Sequence, residues 1–136
     1  MMTFVGSDPL RTLYDSIQTL RRDPLSAPEG SRTAKLLAQG RARMARKVGE
    51  EAIEVAIDAM RNDRGAVVME SADLLYNLVV LLADLEISPD EVMAEIQRRA
   101  TIFGIAEKLP KATEEPTAFI APALASTGKR SKSEKL

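Results

Sequence analysis

The fold is decided by residues 69–77, which read MESADLLYN and lie inside the longest apolar run of the chain, residues 66–83. Glu70 and Asp73 are the only charged residues in that run. A helix this apolar is expected to be buried on nearly all sides. A buried carboxylate without a partner costs several kcal/mol, so two of them on one helical face require a basic side chain or a metal ion.

A second acidic pair, Glu51 and Glu54, lies in the preceding helical segment within residues 47–54, KVGEEAIE. Each pair has i, i+3 spacing, which places both of its carboxylates on one face of a helix. The turn signal NDRG at residues 62–65 separates the two segments, and so short a connection makes the helices antiparallel neighbours. The two acidic pairs are therefore predicted to face each other.

Glu50 adds a third acid to the first segment, four residues before Glu54, where like charges repel. One interpretation is a solvated acidic face that pairs with neighbouring basic residues, because such faces are common. The corresponding interpretation of Glu70 and Asp73 is a set of buried ion pairs. Taken together, the two acidic pairs favour a carboxylate cluster that holds a divalent cation and, through it, a phosphate chain.

The amino-acid composition limits which catalytic groups and metal ligands the chain can use. The chain has neither His nor Cys, which excludes an imidazole base, a Ser-His-Asp triad and a thiolate metal site. Carboxylate ligands favour hard cations, which here means Mg²⁺, with Mn²⁺ as an alternative. The net charge of −1 gives no basic footprint for nucleic acid, and the two acids within the apolar run argue against a membrane span. A soluble, cytoplasmic protein is expected.

The order of apolar, capping and turn residues predicts an all-α chain, an antiparallel bundle of four to five helices. Helices are expected at about 8–21, from Ser31 or Thr33 to about 39, at 41–61, at 66–86 and from Ser88 to about 101. Residues 1–109 are predicted to form the domain. Residues 110–136, rich in Pro, Thr, Ser, Lys and Ala, are predicted to be a mostly disordered tail.

Three further features each have two interpretations. Asn77, one helical turn beyond Asp73, could orient a ligand or be a core amide with satisfied hydrogen bonds. Gly49 could mark a close helix crossing or leave backbone room beside a ligand. The basic residues before the first acidic pair could form a solvated face or neutralise substrate phosphates; they are Arg32, Lys35, Arg43, Arg46 and Lys47.

The acidic motif, with its i, i+3 pairs on successive helices, resembles that of the all-α nucleoside triphosphate pyrophosphohydrolases, the MazG-like superfamily. The segments SRTAKLLAQG at 31–40, KVGEEA at 47–52, DLLY at 73–76 and GIAEK at 104–108 are similar to those of the phosphoribosyl-ATP pyrophosphatase family of histidine biosynthesis. The resemblance extends over about residues 10–109. Many members of that family carry His where this chain has Asn77.

The resemblance implies a bundle completed by homodimerisation, with a dimer as the expected oligomer. It also implies Mg²⁺-dependent hydrolysis of phosphoribosyl-ATP to phosphoribosyl-AMP and pyrophosphate. The metal ligands it implies are Glu51, Glu54, Glu70 and Asp73. The carboxylates expected to assist the attacking water are Glu50 and Glu51. The substrate-binding residues it implies are Ser31, Thr33, Lys35 and Lys47, together with Asn77.

Two alternatives stay open at this point. The chain could hydrolyse another nucleoside triphosphate, or it could be a helical dimerisation module that has lost catalysis. The presence of all four acids argues against the second alternative.

Overall fold

The computed structural model describes residues 8–103, and within that range every regular element is helical. The helices are α1 (Pro9–Arg22), α2 (Arg32–Gln39), α3 (Arg41–Met60), α4 (Arg64–Asp84) and α5 (Pro89–Phe103), with a 3₁₀ turn at Pro24–Ser26. The all-α class and the five predicted helices are thus confirmed. The predicted tail, residues 110–136, and its boundary after residue 109 lie outside the described residues.

The helices begin at the capping residues that the sequence predicts. Asp8 Oδ1 accepts a backbone N–H of the first turn of α1 at 3.0 Å, and Ser31 Oγ does the same for α2 at 3.1 Å. The backbone N–H of Ser88 donates to Glu91 Oε2 at 2.8 Å, which is half of a capping box before α5. α4 begins earlier than predicted because Asp63 caps it, accepting a backbone N–H at 3.0 Å.

The hairpin of α3 and α4 is the framework of the fold. Residues 61–63 turn the chain between them, with Asn62 at φ +56°, and α4 then packs along α3 in the most extensive helix pair of the structure. α1 packs against α4, and α2 packs mainly against α3. The short turn therefore fixes how far along the helix axes the acidic pair of α3 lies from the acidic pair of α4.

The core lies at the end of the hairpin that is remote from this turn. Its buried apolar residues come from four helices and are Ile17, Leu36, Met44, Val79, Val80 and Ala83. The same end is held by hydrogen bonds from α1, because Gln18 Nε2 and an Arg21 guanidinium N–H both donate to the Ala83 carbonyl. α1 and α2 therefore cover the end of α4 and the start of α3.

Fewer side chains of residues 8–103 pack on the end of the hairpin near the turn, and there the predicted burial of α4 was wrong. α4 was expected to be buried on nearly all sides, yet Val68 is 67% exposed, Met69 66% and Leu75 45%. The physical reason is that α1 packs on the other half of α4, where the core residues 79–83 lie. By length and composition alone α4 could cross a membrane, a criterion that core helices of soluble proteins also meet.

α5 spans two compact units of the chain. The first unit ends at Glu95 and contains α1 to α4 and the first part of α5. The second begins at Ile96, and its described part is the remainder of α5, residues 96–103. All the site residues discussed below belong to the first unit.

The core predicts a clear mutational result. Ile17 is 1% exposed and packs at the centre of the cluster, so Ile17→Ala should lower the free energy of unfolding by about 2–5 kcal/mol. Leu25→Ala is the matched control: Leu25 is 96% exposed, so its truncation should change stability by less than about 0.5 kcal/mol. Urea denaturation at one fixed protein concentration measures both values. Equal losses would contradict the assignment of the core.

Candidate active site

Three carboxylates from two helices meet in the middle of the hairpin. Oxygens of Glu51 on α3 and of Glu70 and Asp73 on α4 all lie within 4.8 Å of one another. This is the convergence that the i, i+3 spacing and the short turn predict. Their roles as ligands stay predictions, but the structure brings the three side chains together.

Glu54 adjoins the same group through Glu70. Hydrogen bonding with Glu54 is the largest cause that raises the pKa of Glu70 to about 7, followed by partial removal from water and by Glu51. A carboxyl group with this pKa shares a proton with its neighbours near neutral pH, because adjacent negative charges cannot all persist. The fourth predicted acid is therefore in contact with the cluster, although it lies outside the set within 4.8 Å.

Glu51 is the buried member of the cluster, at 7% exposure, and this corrects a second expectation. The acids of the apolar run were expected to be the buried ones, but Glu70 is half-buried and Asp73 is exposed. Their half of α4 lacks the cover that the apolar sequence suggested. The carboxylate that loses most of its contact with water is therefore Glu51 on α3, not an acid of α4.

Lys47 compensates Glu51 directly. Lys47 Nζ lies 2.7 Å from Glu51 Oε1, one helical turn away. This hydrogen bond lowers the pKa of Glu51 and raises that of Lys47, against the opposing effect of burial on each. Glu51 is thus held as a carboxylate, the form that a metal ligand requires.

Glu50 points to the basic side of α3 rather than into the cluster. Its carboxylate oxygens lie 3.6 Å from Lys47 Nζ and 3.8 Å from an Arg43 guanidinium nitrogen. The side chain is exposed. Lys47 therefore links Glu50, a predicted catalytic acid, to Glu51.

The cluster fits a hard divalent cation. All its donors are carboxylate oxygens, on two helices fixed by a short turn, and such donors suit Mg²⁺ or Mn²⁺. Hydrogen bonding with Glu54 is the main cause of the raised pKa of Glu70, and repulsion by the charges of Glu54 and Glu51 adds to it, which a cation among the carboxylates would relieve. The residues that would hold it are Glu51, Glu70 and Asp73, with Glu54 beside Glu70.

A basic pocket of about 260 Å³ lies between α2, α3 and α4. It is lined by Arg32, Lys35, Leu36, Gln39, Arg43, Lys47, Tyr76 and Asn77. Lys47 belongs both to this pocket and to the acidic cluster, so the two regions adjoin. An anionic molecule can therefore contact the basic pocket and, through a cation, the carboxylates.

Asn77 is buried at this pocket with one hydrogen-bonding atom unused. Its Nδ2 donates to the Asp73 carbonyl at 2.8 Å, and the residue is 4% exposed. Its Oδ1 has no partner among residues 8–103. Of the two interpretations of Asn77, the fully satisfied core amide does not hold within the described residues.

The other predicted substrate-binding residues differ in what they contact. Lys35 lines the pocket. Ser31 Oγ accepts the α2 cap bond, and its hydroxyl proton can still be donated. The Thr33 and Tyr76 hydroxyls are hydrogen-bonded at 2.6 Å, which joins α2 to α4.

Two details follow from the sequence less directly. Gln39 lines the pocket but was not singled out, although its spacing from Arg32 and Lys35 puts all three on one face of α2. Gly49 has no close helix crossing among residues 8–103, because a Cβ there would meet nothing within 4 Å.

Comparison with known proteins gives consistent results. The family model described as phosphoribosyl-ATP pyrophosphohydrolase matches residues 13–100. A protein of Rhodopseudomonas palustris named phosphoribosyl-ATP pyrophosphatase 2 is 51% identical over 106 residues, covering 77% of this chain and 78% of that protein. One of the same name from Bradyrhizobium diazoefficiens is 48% identical over 120 residues, covering 88% and 87%. A phosphoribosyl-ATP pyrophosphatase of Rhodobacter capsulatus is 56% identical over 81 residues, covering 60% and 79%.

The carboxylate repulsion predicts how stability depends on pH. The Glu70 pKa is raised from 4.5 to about 7 on folding, so the folded state binds this proton more tightly than the unfolded state. The stability from that proton is complete below the unfolded pKa and is lost as the pH rises through about 7. In metal-free buffer, melting temperatures of the wild type should fall over this window more steeply than those of Glu70→Gln.

Added Mg²⁺ should restore stability to the wild type above pH 7 and have a smaller effect on Glu70→Gln. Glu29→Gln, which alters an exposed acid in the loop before α2, is the control and should follow the wild-type profile. Parallel melting profiles for the wild type and Glu70→Gln would contradict the repulsion.

Proposed function

The chain belongs to the phosphoribosyl-ATP pyrophosphohydrolase family, and on that premise we propose that it hydrolyses phosphoribosyl-ATP to phosphoribosyl-AMP and pyrophosphate in histidine biosynthesis. The observation that carries the proposal is the meeting of Glu51, Glu70 and Asp73 within 4.8 Å beside a basic pocket. A phosphate chain needs a cation held by acids and, beside it, a basic side chain for the remaining negative charge, and Lys47 lies next to the carboxylates at the edge of the pocket.

The proposed cofactor is Mg²⁺, held by Glu51, Glu70 and Asp73 with Glu54 beside them. The chemistry that Mg²⁺ supplies when bound is positive charge, which offsets the charge of the triphosphate oxygens and acidifies water at the site. Lys47 keeps Glu51 ionised through the 2.7 Å contact, so this buried acid stays ready to act as a ligand.

Two acids are expected to assist the water, Glu50 and Glu51, and Lys47 contacts both. Lys47 lowers the pKa of Glu51, which makes Glu51 a weak base and suits it to ligation. Glu50 is exposed and shares Lys47 with Glu51 at the longer distance of 3.6 Å. We propose that one of these two acids accepts the proton of the attacking water and that Lys47 offsets the charge of the pyrophosphate.

Substitution of the ligands tests this function. Asp73→Asn and Glu70→Gln keep the size of each side chain and remove its charge, so pyrophosphate release from phosphoribosyl-ATP should fall roughly 100-fold or more. Asp15→Asn alters an exposed acid on α1 and should retain wild-type turnover. The assay is pyrophosphate release with Mg²⁺, with products identified by mass. Unchanged turnover in Asp73→Asn would refute the ligand role, and a wild type that prefers another triphosphate would refute the substrate.

We also propose that the chain functions in the cytoplasm as a homodimer that buries the turn end of the hairpin. Ile53, Ile57 and Met60 recur at i, i+4 and i+7 on α3 and are 61%, 44% and 85% exposed. Val68 and Leu75 form a second exposed apolar stripe on α4. Contiguous apolar stripes of this kind characterise interfaces. A second copy of the same hairpin offers a surface of the same apolar character.

A charged residue introduced into the apolar stripe tests the proposed dimer interface. Ile57→Glu places a carboxylate in the middle of the α3 stripe, so it should shift the protein from dimer to monomer and lower its melting temperature. Leu25→Glu, at a residue that is 96% exposed but lies on the 3₁₀ turn, should leave the dimer intact. Light scattering coupled to size-exclusion chromatography measures both. A monomeric wild type would contradict the proposal.

A further inference from the structure

Acidic side chains among residues 8–103 neutralise only part of the positive charge of the basic pocket. Arg43 and Lys47 both pair with Glu50, and Lys47 also pairs with Glu51. Among residues 8–103, Arg32 and Lys35 have no carboxylate partner, and both line the pocket from α2. Two uncompensated cations one helical turn apart match a phosphate monoester, which carries a charge of about −1.5 to −2 at pH 7.

The buried amide of Asn77 restricts the rest of the ligand. The Asp73 carbonyl can only accept, so the Asn77 group that faces it at 2.8 Å must be the NH₂, and the unpaired atom must be the carbonyl oxygen Oδ1. An unpaired buried acceptor costs free energy unless a ligand or a water molecule donates to it. Asn77 lines the pocket, so the pocket favours a ligand with an O–H or N–H donor at this position.

A bare phosphate chain does not match this preference, because at neutral pH its oxygens are almost entirely acceptors. Facing Oδ1 of Asn77, they would repel it. A sugar phosphate matches both features of the pocket, since its hydroxyls donate and its phosphate accepts from basic side chains. The acceptor at Asn77 therefore makes the pocket prefer a sugar phosphate over a bare phosphate chain, two ligands that total charge alone does not distinguish.

We propose that this pocket binds the phosphoribosyl end of the substrate, with the 5′-phosphate between Arg32 and Lys35 and a ribose hydroxyl donating to Asn77 Oδ1. The inference rests on the proposed function and extends it. The triphosphate then lies on the side of Lys47, next to the carboxylates. ATP lacks the phosphoribosyl group, so the pocket is the part of the site that distinguishes the substrate from ATP.

Arg32→Ala and Lys35→Ala test the assignment at two exposed positions, where truncation does not disturb the core. The measurements are kcat and KM for phosphoribosyl-ATP with Mg²⁺, and the inhibition constant of ATP as a competitor. Each variant should raise KM for phosphoribosyl-ATP roughly tenfold, because it removes one charge-assisted hydrogen bond to the phosphate. The inhibition constant of ATP should not change, because ATP lacks the phosphoribosyl group that contacts Arg32 and Lys35.

Asn77→Leu removes the acceptor at similar size and should raise KM in the same selective way, with folding checked by its melting temperature. Arg22→Ala is the matched control, an exposed cation on α1 outside the pocket lining, and should alter neither constant. If the α2 variants raise KM and the ATP inhibition constant equally, the pocket holds the triphosphate and the inference is wrong. If they change neither, the pocket is not part of the substrate site. A wild type inactive on phosphoribosyl-ATP would instead overturn the proposed function.

Discussion

The α3–α4 hairpin holds carboxylates side by side against their mutual repulsion, and the rest of the site is arranged around them. Glu51, Glu70 and Asp73 lie within 4.8 Å of one another, and hydrogen bonding with Glu54 raises the pKa of Glu70 to about 7. Packing between α3 and α4 and the short turn oppose this repulsion. Within the chain Lys47 compensates one of the acids, Glu51. The arrangement is thus prepared for a cation at a cost in stability, a trade that is common at functional sites.

The helices could be predicted because their signals are local. Asp8, Ser31 and the Ser88–Glu91 capping box all cap the helices that they were predicted to start. Burial could not be predicted in the same way. The apolar run of α4 suggested cover on every side, but hydropathy does not state whether that cover comes from the same chain. The exposed Val68 and Met69 show that residues 8–103 of one copy do not cover that part of α4.

The candidate site also has one part that could be predicted from local sequence and one part that depends on how the helices pack. Its acids could be predicted because i, i+3 spacing and a short turn are visible in the sequence, and the structure brings them together. The basic pocket depends on how α2 lies against α3 and α4, which no spacing reveals. Arg32 and Lys35 could be noted as basic, but the unpaired Oδ1 of Asn77 emerges only from the folded chain. The identity of the substrate came from family resemblance rather than from spacing.

The brevity of the turn at residues 61–63 limits how this chain can change during evolution. One residue inserted between Glu54 and Glu70 would rotate the rest of α4 by about 100° and shift it by about 1.5 Å along its axis. Asp73 would then leave the face that meets Glu51, although every side chain in the hairpin would still be present. Insertions and deletions are therefore tolerable in the loop before α2, but a single codon gained in the hairpin would separate the acids.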